Sequence, residues 1–332
     1  MKVYAFKGNP DIVEKSSSGG AFSKIAMSFA QKYSDNYSIY GAAWTKDNEV
    51  KHIKVTRLED IELFNGSKYA RSNIRGIYNS VAEDLINEQN VLFSGTPCQV
   101  SGLIKYLEHV NVQTENLFII DIICHGSPNP QILKDYVAWL ENKYQSEVIK
   151  ISFRDKSVGW KRYPTKVCFK NGKVLRRSYD AQLYMRMYFS LLILDKGCYS
   201  CKFSSMERTG DITLGDFWGI DKIMPEIPMG KGVSLMIATS EKGNEIVETL
   251  NKTIHEGELL KEYVGDEFLN YQHNLNRPTE KPALYEEFWM DYKKHGFEYV
   301  VKKYRFDSTK GRAKYLVKSL LVRFDFFDKR LS

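Results

Sequence analysis

Five cysteines are the residues of this 332-residue chain best suited to chemistry. Cys198 and Cys201 form a Cys-x-x-Cys pair in the stretch GCYSCKF. Cys98 and Cys124 each stand alone in a turn that contains Gly and Pro, and Cys168 lies in an alternating segment. An odd and sparse set of cysteines argues against the disulfide framework of a secreted protein. In a reducing compartment, clustered thiols more often bind metal or carry out redox chemistry.

Cys98 and Cys124 follow two segments of the same design. VLFSGTPCQVSGLIKYLEHV and LFIIDIICHGSPNPQILKDYVAWLENKY each contain an apolar run, a turn and a helical pattern. Strands and helices that alternate at this spacing predict a parallel sheet with crossover helices. Ligand sites in such sheets form beyond the carboxyl ends of the strands, where both cysteines fall. The loop that carries Cys198 and Cys201 would then complete a site of four thiolates.

Four cysteinates suit either a zinc ion or an iron–sulfur cluster. Structural zinc usually takes two close pairs of cysteines, whereas only one pair is close here, so the pattern favours a cluster. The positive ends of the two following helices would stabilise thiolates. The alternatives are that Cys98 and Cys124 are small buried hydrophobic residues, or that the Cys-x-x-Cys pair is a thioredoxin-like redox motif. We interpret Cys168 as a packing residue.

The elements that must position these thiols indicate an α/β fold. It has a mainly parallel central sheet with crossover helices, a smaller α+β region with a hairpin at Asn171-Gly172, and a helical C-terminal tail. Three regions are expected. Residues 1–150 would form an α/β region with Cys98 and Cys124. Residues 151–290 would form an α+β region that supplies the Cys-x-x-Cys loop. Residues 291–332 would form a basic helical tail.

Composition excludes several classes of protein. With 43% hydrophobic and 13% aromatic residues, the chain can form a buried core, so disorder is not expected. It has no apolar run of the roughly 20 residues that cross a membrane and no signal-peptide pattern, so a cytoplasmic protein is expected. The net charge of +7 is concentrated after residue 292, where twelve Lys and Arg face four Asp and Glu.

The basic tail has two interpretations. Leu316, Leu320, Phe324 and Phe327 recur at helical spacing, which suits packing on the chain's own domain or peripheral contact with the inner face of a membrane. No motif other than charge supports nucleic-acid binding, so no nucleic-acid partner is expected.

Six ordered blocks give the chain a family resemblance. They are KSSSGGAFSKIA, GSKYARS, GTPCQVSGL, DIICHGSPNP, FRDKSVGW and CYSCKFSSMERTGDITLGDFWGID. Together they resemble the beta-subunit family of deazaflavin (F-420) hydrogenases and dehydrogenases, from about residue 3 to residue 300. Many members begin with a ferredoxin-like module of repeated Cys-x-x-Cys-x-x-Cys runs, and this chain has none.

The resemblance implies an iron–sulfur flavoprotein oxidoreductase. A 4Fe–4S cluster bound by Cys98, Cys124, Cys198 and Cys201 would lie close to a flavin, FAD or alternatively FMN, in the region 1–150. Electrons would pass between an external carrier, such as a ferredoxin-like protein, and a small-molecule substrate. The substrate, the direction of electron flow and the use of deazaflavin are left open.

The resemblance also turns polar loop residues into candidate cofactor contacts. His125, beside a predicted cluster ligand, is the candidate proton donor, and its alternative is a hydrogen bond to a cluster sulfur or a turn carbonyl. The candidate flavin or substrate contacts are Ser17, Ser18, Gly19, Gly20, Lys68, Tyr69, Ser72, Thr96 and Gln99. The alternatives are a helix N-cap for the Ser-Ser-Ser-Gly-Gly turn and a solvated turn for the loop around Lys68. Arg154 is expected in a surface salt bridge, and its alternative is pairing with an anionic substrate.

Two other functions stay open at this point. One is a non-catalytic metal-binding subunit or adaptor that holds structural zinc or a structural cluster. The other is a redox enzyme of sugar or polysaccharide precursor biosynthesis.

Overall fold

The computed structural model describes residues 1–161 and 164–313 of the chain. The strands in this part are β1 (Lys2–Lys7), β2 (Tyr37–Trp44), β3 (Val50–Val55), β4 (Asn90–Gly95), β5 (Leu117–Ile122), β6 (Val148–Ser152), β7 (Lys166–Phe169), β8 (Val174–Arg176), β9 (Ile212–Asp216), β10 (Ser234–Ala238) and β11 (Leu259–Tyr263). The helices are α1 (Pro10–Lys15), α2 (Ala21–Tyr33), α3 (Ile77–Ile86), α4 (Pro97–His109), α5 (Pro130–Tyr144), α6 (Leu183–Phe189), α7 (Ile220–Ile223), α8 (Glu241–Lys252), α9 (Tyr285–His295) and α10 (Phe297–Lys303).

An eight-stranded sheet in the order β11-β1-β10-β9-β5-β4-β2-β3 forms the centre of the fold. The neighbours β2, β4, β5 and β9 are parallel, whereas β3, β10 and β11 run against them. Because β1 is antiparallel to β10, five of the eight strands point in one direction. The predicted α/β fold with a mainly parallel central sheet is confirmed.

Helices cover both faces of this sheet. On one face, α2 and α8 bury apolar residues such as Ile25, Phe29 and Leu250 against the strands. On the other face, α3 and α4 do the same. In α4, Val100, Leu103 and Leu107 recur at intervals of three and four residues and are fully buried. The helix positions that follow β4 and β5 are therefore fixed by packing.

A smaller layer packs beside the main sheet. The antiparallel sheet β6-β7-β8 shares a hydrophobic core with α5, α6, α9 and α10. The hairpin between β7 and β8 turns at Gly172, whose φ of 84° is readily adopted only by glycine, as the Asn-Gly signal predicts. The apolar pattern of the segment AQLYMRMYFSLLIL predicts a helix, whereas α6 ends at Phe189 and Leu191 has a φ of 66°.

The predicted region boundaries at residues 150 and 290 stay predictions. Strands β9, β10 and β11 come from the predicted second region and lie in the same sheet as β1 to β5. In the predicted tail, Phe297, Val300 and Phe306 pack into the core of the smaller layer. The apolar stripe from Leu316 to Phe327 lies outside the described residues. No helix in the described part of the chain is long and apolar enough to cross a bilayer.

Candidate redox site

Three separate segments bring four cysteines to one edge of the main sheet. Cys98 is the second residue of α4, directly after β4, and Cys124 lies two residues beyond the end of the neighbouring strand β5. Cys198 and Cys201 lie on and next to the short 3-10 helix Lys196–Ser200. The Cys124 thiol interacts electrostatically with the other three, which raise its pKa. The convergence of the four thiols on one bound group stays a prediction.

Burial is the main influence on the pKa of two of these thiols. Burial, followed by the neighbouring thiols, raises the pKa of Cys124 to about 12, although a hydrogen bond from the Gly126 backbone opposes the shift. Burial also raises the pKa of Cys198, whose Sγ accepts a hydrogen bond of 3.3 Å from the Ser127 backbone N–H. Burial thus favours the neutral thiol form of both residues. A metal group that binds here must supply the positive charge that stabilises thiolates.

A zinc ion and a four-iron cluster require different spacings of four thiols. In the described residues, no three His, Cys, Asp or Glu side chains lie close enough together to hold a single metal ion. A tetrahedral zinc with Zn–S bonds of about 2.3 Å needs its sulfurs nearly in contact. A four-iron cluster separates its thiolates further, because each binds a different iron. The zinc and cluster interpretations of the four thiols both stay predictions.

The Ser-Ser-Ser-Gly-Gly turn is anchored between three parts of the fold. The Ser17 Oγ accepts hydrogen bonds from the Ser67 backbone N–H at 2.6 Å and from its hydroxyl at 2.8 Å. Ser18 donates its hydroxyl proton to the Val233 carbonyl at 2.8 Å. A side chain at Gly19 would collide with backbone atoms of β1 and β10, so only glycine fits there. Gly20, with a φ of 86°, is the N-cap of α2.

Lys156, which no sequence motif singled out, also holds this turn. Its side chain is buried, and its Nζ donates to the carbonyls of Val13 at 2.6 Å and Ser18 at 2.7 Å. Burial lowers the pKa of Lys156 to about 7. The residue lies within the FRDKSVGW block, which offered the only signal, and its partners are more than 130 residues away in the chain.

Hydrogen bonds and ring packing hold the loop around Lys68, which therefore differs from a solvated turn, the alternative that the sequence left open. The Lys68 ammonium donates to the carbonyls of Leu63, Phe64 and Asn65 at 3.3, 2.7 and 3.0 Å. The Tyr69 ring packs edge-on against Phe153 and Tyr188, and its carbonyl accepts a hydrogen bond from Tyr184.

Ser72, Thr96 and Gln99 form one hydrogen-bonded group at the start of α4. The Gln99 Nε2 donates to the Ser72 Oγ at 2.9 Å, and its Oε1 accepts from the Thr96 backbone and hydroxyl, both at 3.1 Å. The Thr96 Oγ1 lies 3.2 Å from the Cys98 Sγ. This group fixes the turn that carries Cys98, and its predicted flavin contacts stay predictions.

His125 lies beside a buried ion pair that was expected at the surface. The expected surface salt bridge of Arg154 is wrong, because its side chain is only 4% exposed and binds Asp216 at 2.8 Å. The Trp160 indole also donates to Asp216, at 3.2 Å, and its ring stacks on Trp218. Burial lowers the pKa of His125, while Asp216 and a hydrogen bond with the Asn274 side chain oppose the shift.

Four of these groups are crowded by protein and still accessible to solvent. Burial lowers the pKa of Lys68 to about 7 and also lowers the pKa of His125. It raises the pKa of Tyr69 and of Cys124. All four residues nevertheless keep exposed surface. Groups with both properties are candidates for a cofactor-binding cleft. We call the surface of these four residues the candidate cleft. A separate depression between β1, β11 and α8 includes none of the predicted site residues.

Comparisons with known proteins identify the family. The family model that describes the C-terminal region of the beta subunit of coenzyme F420 hydrogenase/dehydrogenase matches residues 88–260, slightly more than half of the chain. The chain belongs to this family. The matched range contains Cys98, Cys124, Cys198 and Cys201, and the resemblance stated from the sequence is confirmed. The protein is thus a redox protein of the hydrogenase/dehydrogenase beta-subunit type.

One solved structure has the same fold as this chain. It is a chain of the F420-reducing [NiFe] hydrogenase complex from Methanosarcina barkeri, in a structure that describes xenon derivatization of that complex. The TM-score is 0.54 at 15% sequence identity, and the match covers 90% of this chain and 94% of the other. No curated protein matches the chain.

Proposed function

We propose that the protein is an iron–sulfur flavoprotein oxidoreductase. Cys98, Cys124, Cys198 and Cys201 would hold a 4Fe–4S cluster, and the candidate cleft would hold a flavin beside it. The cluster would supply one-electron transfer, and the flavin would supply the conversion between single electrons and hydride chemistry. The observation that supports this proposal is the placement of Cys98 and Cys124 beyond the neighbouring parallel strands β4 and β5, with the Cys198 Sγ accepting a hydrogen bond from the Ser127 backbone, three residues after Cys124.

The cations beside the Ser-Ser-Ser-Gly-Gly turn support the flavin part of the proposal. Lys156 binds backbone carbonyls on one side of the turn, and Lys68 binds carbonyls next to Ser67, which bonds Ser17. Neither ammonium forms an ion pair with a carboxylate among the described residues. An anionic group bound here would raise the lowered pKa of each lysine, so a flavin pyrophosphate or phosphate suits the turn.

The electron carrier is proposed to be an external protein. The proposed cluster uses four of the five cysteines, and the one that is left, Cys168, cannot hold a second 4Fe–4S cluster alone. Cys98 is exposed, which leaves one side of the thiol group open to an approaching carrier. The similar chain from Methanosarcina barkeri belongs to a complex, which supports a protein partner of this kind.

Anaerobic purification or reconstitution followed by iron, sulfide and flavin analysis tests the proposal. We expect about four iron and four sulfide per chain and one flavin. Cys124→Ser should lose most of the iron, because serine is a poor ligand for these irons. Cys168→Ser is the matched control, since Cys168 lies in β7 of the small sheet, and it should keep the iron. Protein with one zinc, no sulfide and no flavin would refute the proposal and favour a structural metal site.

Removal of the Lys156 cation tests the flavin part separately. Lys156→Met should lower flavin retention at least tenfold while the iron and sulfide content stays unchanged. Lys170→Met is the control, because Lys170 is exposed and pairs only with Glu147. Equal flavin retention in both variants would contradict the placement of the flavin at the turn.

A further inference from the structure

We infer that the buried ion pair of Asp121 and Arg208 positions the Cys198–Cys201 loop against the end of β5, and that its charge balance tunes the redox potential of the group which the thiolates bind. The second half of this inference rests on the proposed function. Neither residue is one of the predicted site residues. Both side chains are inaccessible, with exposed fractions of 0% for Asp121 and 1% for Arg208.

Arg208 donates five hydrogen bonds, four of which join the loop to the end of β5. Its Nη1 donates to the carbonyls of Phe203 at 3.0 Å and Ser205 at 3.4 Å, both just after Cys201. Its Nη2 donates to the Asp121 carboxylate at 2.9 Å and to the Ile122 carbonyl at 3.3 Å, just before Cys124. One planar guanidinium therefore spans the two segments that carry Cys201 and Cys124.

Asp121 is held from two further sides. Thr213 on β9 donates its hydroxyl proton to Asp121 Oδ1 at 2.6 Å and accepts from the Arg208 Nε at 3.0 Å. The Gly210 backbone N–H donates to Asp121 Oδ2 at 3.3 Å. All three nitrogens of the guanidinium and both carboxylate oxygens have partners, which is the condition under which a buried pair fixes geometry.

The same pair places two opposite charges in a region that solvent does not screen. A lone positive charge close to a redox group favours the reduced form of that group, and a lone negative charge favours its oxidised form. The native pair is neutral as a whole. Removal of one member should therefore shift the potential in a direction that depends on which member is removed.

The first experiment measures loop position in the metal-free full-length chain. Hydrogen exchange across residues 198–208 should accelerate at least tenfold in Arg208→Lys, because an ammonium cannot make five directed hydrogen bonds. Asp180→Asn is the matched control. Asp180 is also a buried carboxylate bound to an arginine, but it pairs with Lys143 near the far end of α5, roughly 20 Å along the helix from its first residue. Unchanged exchange in Arg208→Lys would overturn the positioning role.

The second experiment measures the midpoint potential of the reconstituted protein by reductive titration with spectroscopic detection. Asp121→Asn should shift it to a more positive value and Arg208→Gln to a more negative value. At a fixed ambient potential, each should change the ratio of reduced to oxidised group by about tenfold, the size expected for one buried charge at moderate distance. Arg208→Lys keeps the charge and should shift the potential less than Arg208→Gln.

The two experiments separate this inference from the proposed function. Native protein that binds no iron and sulfide refutes the proposed function and the electrostatic half of the inference, while hydrogen exchange still decides the positioning half. Native protein that binds the group, with equal potentials in Asp121→Asn, Arg208→Gln and Asp180→Asn, overturns the electrostatic half alone.

Discussion

The four thiols belong to two regions that hold their cysteines in different ways. Cys98 and Cys124 follow regular strands, and their positions come from backbone ladders, helix packing and a capped helix start. Cys198 and Cys201 lie in an irregular loop, which contacts the end of β5 through the buried Arg208 side chain and the segment after Cys124 through the Ser127 backbone N–H. Regular elements thus fix half of the site, and a few long-range hydrogen bonds and ion pairs hold the other half.

The largest expected effect breaks the irregular half. Arg208→Met should lower the free energy of unfolding by about 3–5 kcal/mol, because it leaves the buried Asp121 carboxylate without its partner. Urea unfolding of the metal-free chain measures it. Lys202→Met is the control, since Lys202 is exposed in the same segment, and should change the stability little. A loss under about 1 kcal/mol for Arg208→Met would mean that the loop is held by other contacts.

A core substitution tests the regular half. Leu103→Ala in α4 should cost roughly 2–4 kcal/mol, because Leu103 is fully buried between the helix and the sheet. Glu108→Ala, on the exposed side of the same helix, is the control and should lie within about 0.5 kcal/mol of the native protein. If several small contacts hold this half, Leu103→Ala should also keep most of its iron binding, in contrast to Arg208→Met.

Lys156 offers a second long-range contact with a pH signature. Its pKa is about 7 in the folded protein, below its unfolded value of 10.5, so between these values the unfolded state binds more protons. The native protein should therefore gain stability relative to Lys156→Met as the pH rises from 7 to 9.5, by roughly 1–3 kcal/mol. Unfolding at both pH values measures this change. A pH-independent difference would show that Lys156 stays charged in the fold.

The smallest expected effect concerns the capped start of α4. Thr96→Ala removes a hydroxyl that bonds Gln99 and should cost about 1 kcal/mol. Thr114→Ala, at an exposed loop position, serves as the control. The same substitution at Thr96 should leave hydrogen exchange across residues 198–208 unchanged, which would confirm that the two halves are held independently.

The same division explains what the sequence could predict. The strand ends that carry Cys98 and Cys124 were predictable because an apolar run, a Gly/Pro turn and a helical pattern are local signals. Arg208 and Lys156 were missed because their partners lie 87 and more than 130 residues away, which no local pattern encodes. The partner of Arg154 lies 62 residues away, so no local pattern in the sequence showed that Arg154 is buried in an ion pair.

Two elements of secondary structure differ from the prediction because their sequences carry no clear local signal. Strand β11 was not predicted, because LLKEY has no clean alternation and none of its residues is fully buried. Helix α6 ends before the end of the predicted helix, because Leu191 adopts a left-handed backbone conformation. A leucine at this position does not indicate such a conformation. The roles of the predicted ligands and cofactor contacts stay predictions, since they depend on groups that only the proposed experiments reveal.

The pairing of β1 has a consequence for biosynthesis. Its neighbours are β10 and β11, and Lys2 lies opposite Ala238 in the register. During translation at about 5–20 residues per second, β1 therefore waits on the order of 10–50 s before its partners leave the ribosome. Throughout that interval its apolar residues have no sheet to join, so the nascent chain is a natural client for chaperones that shield unpaired strands.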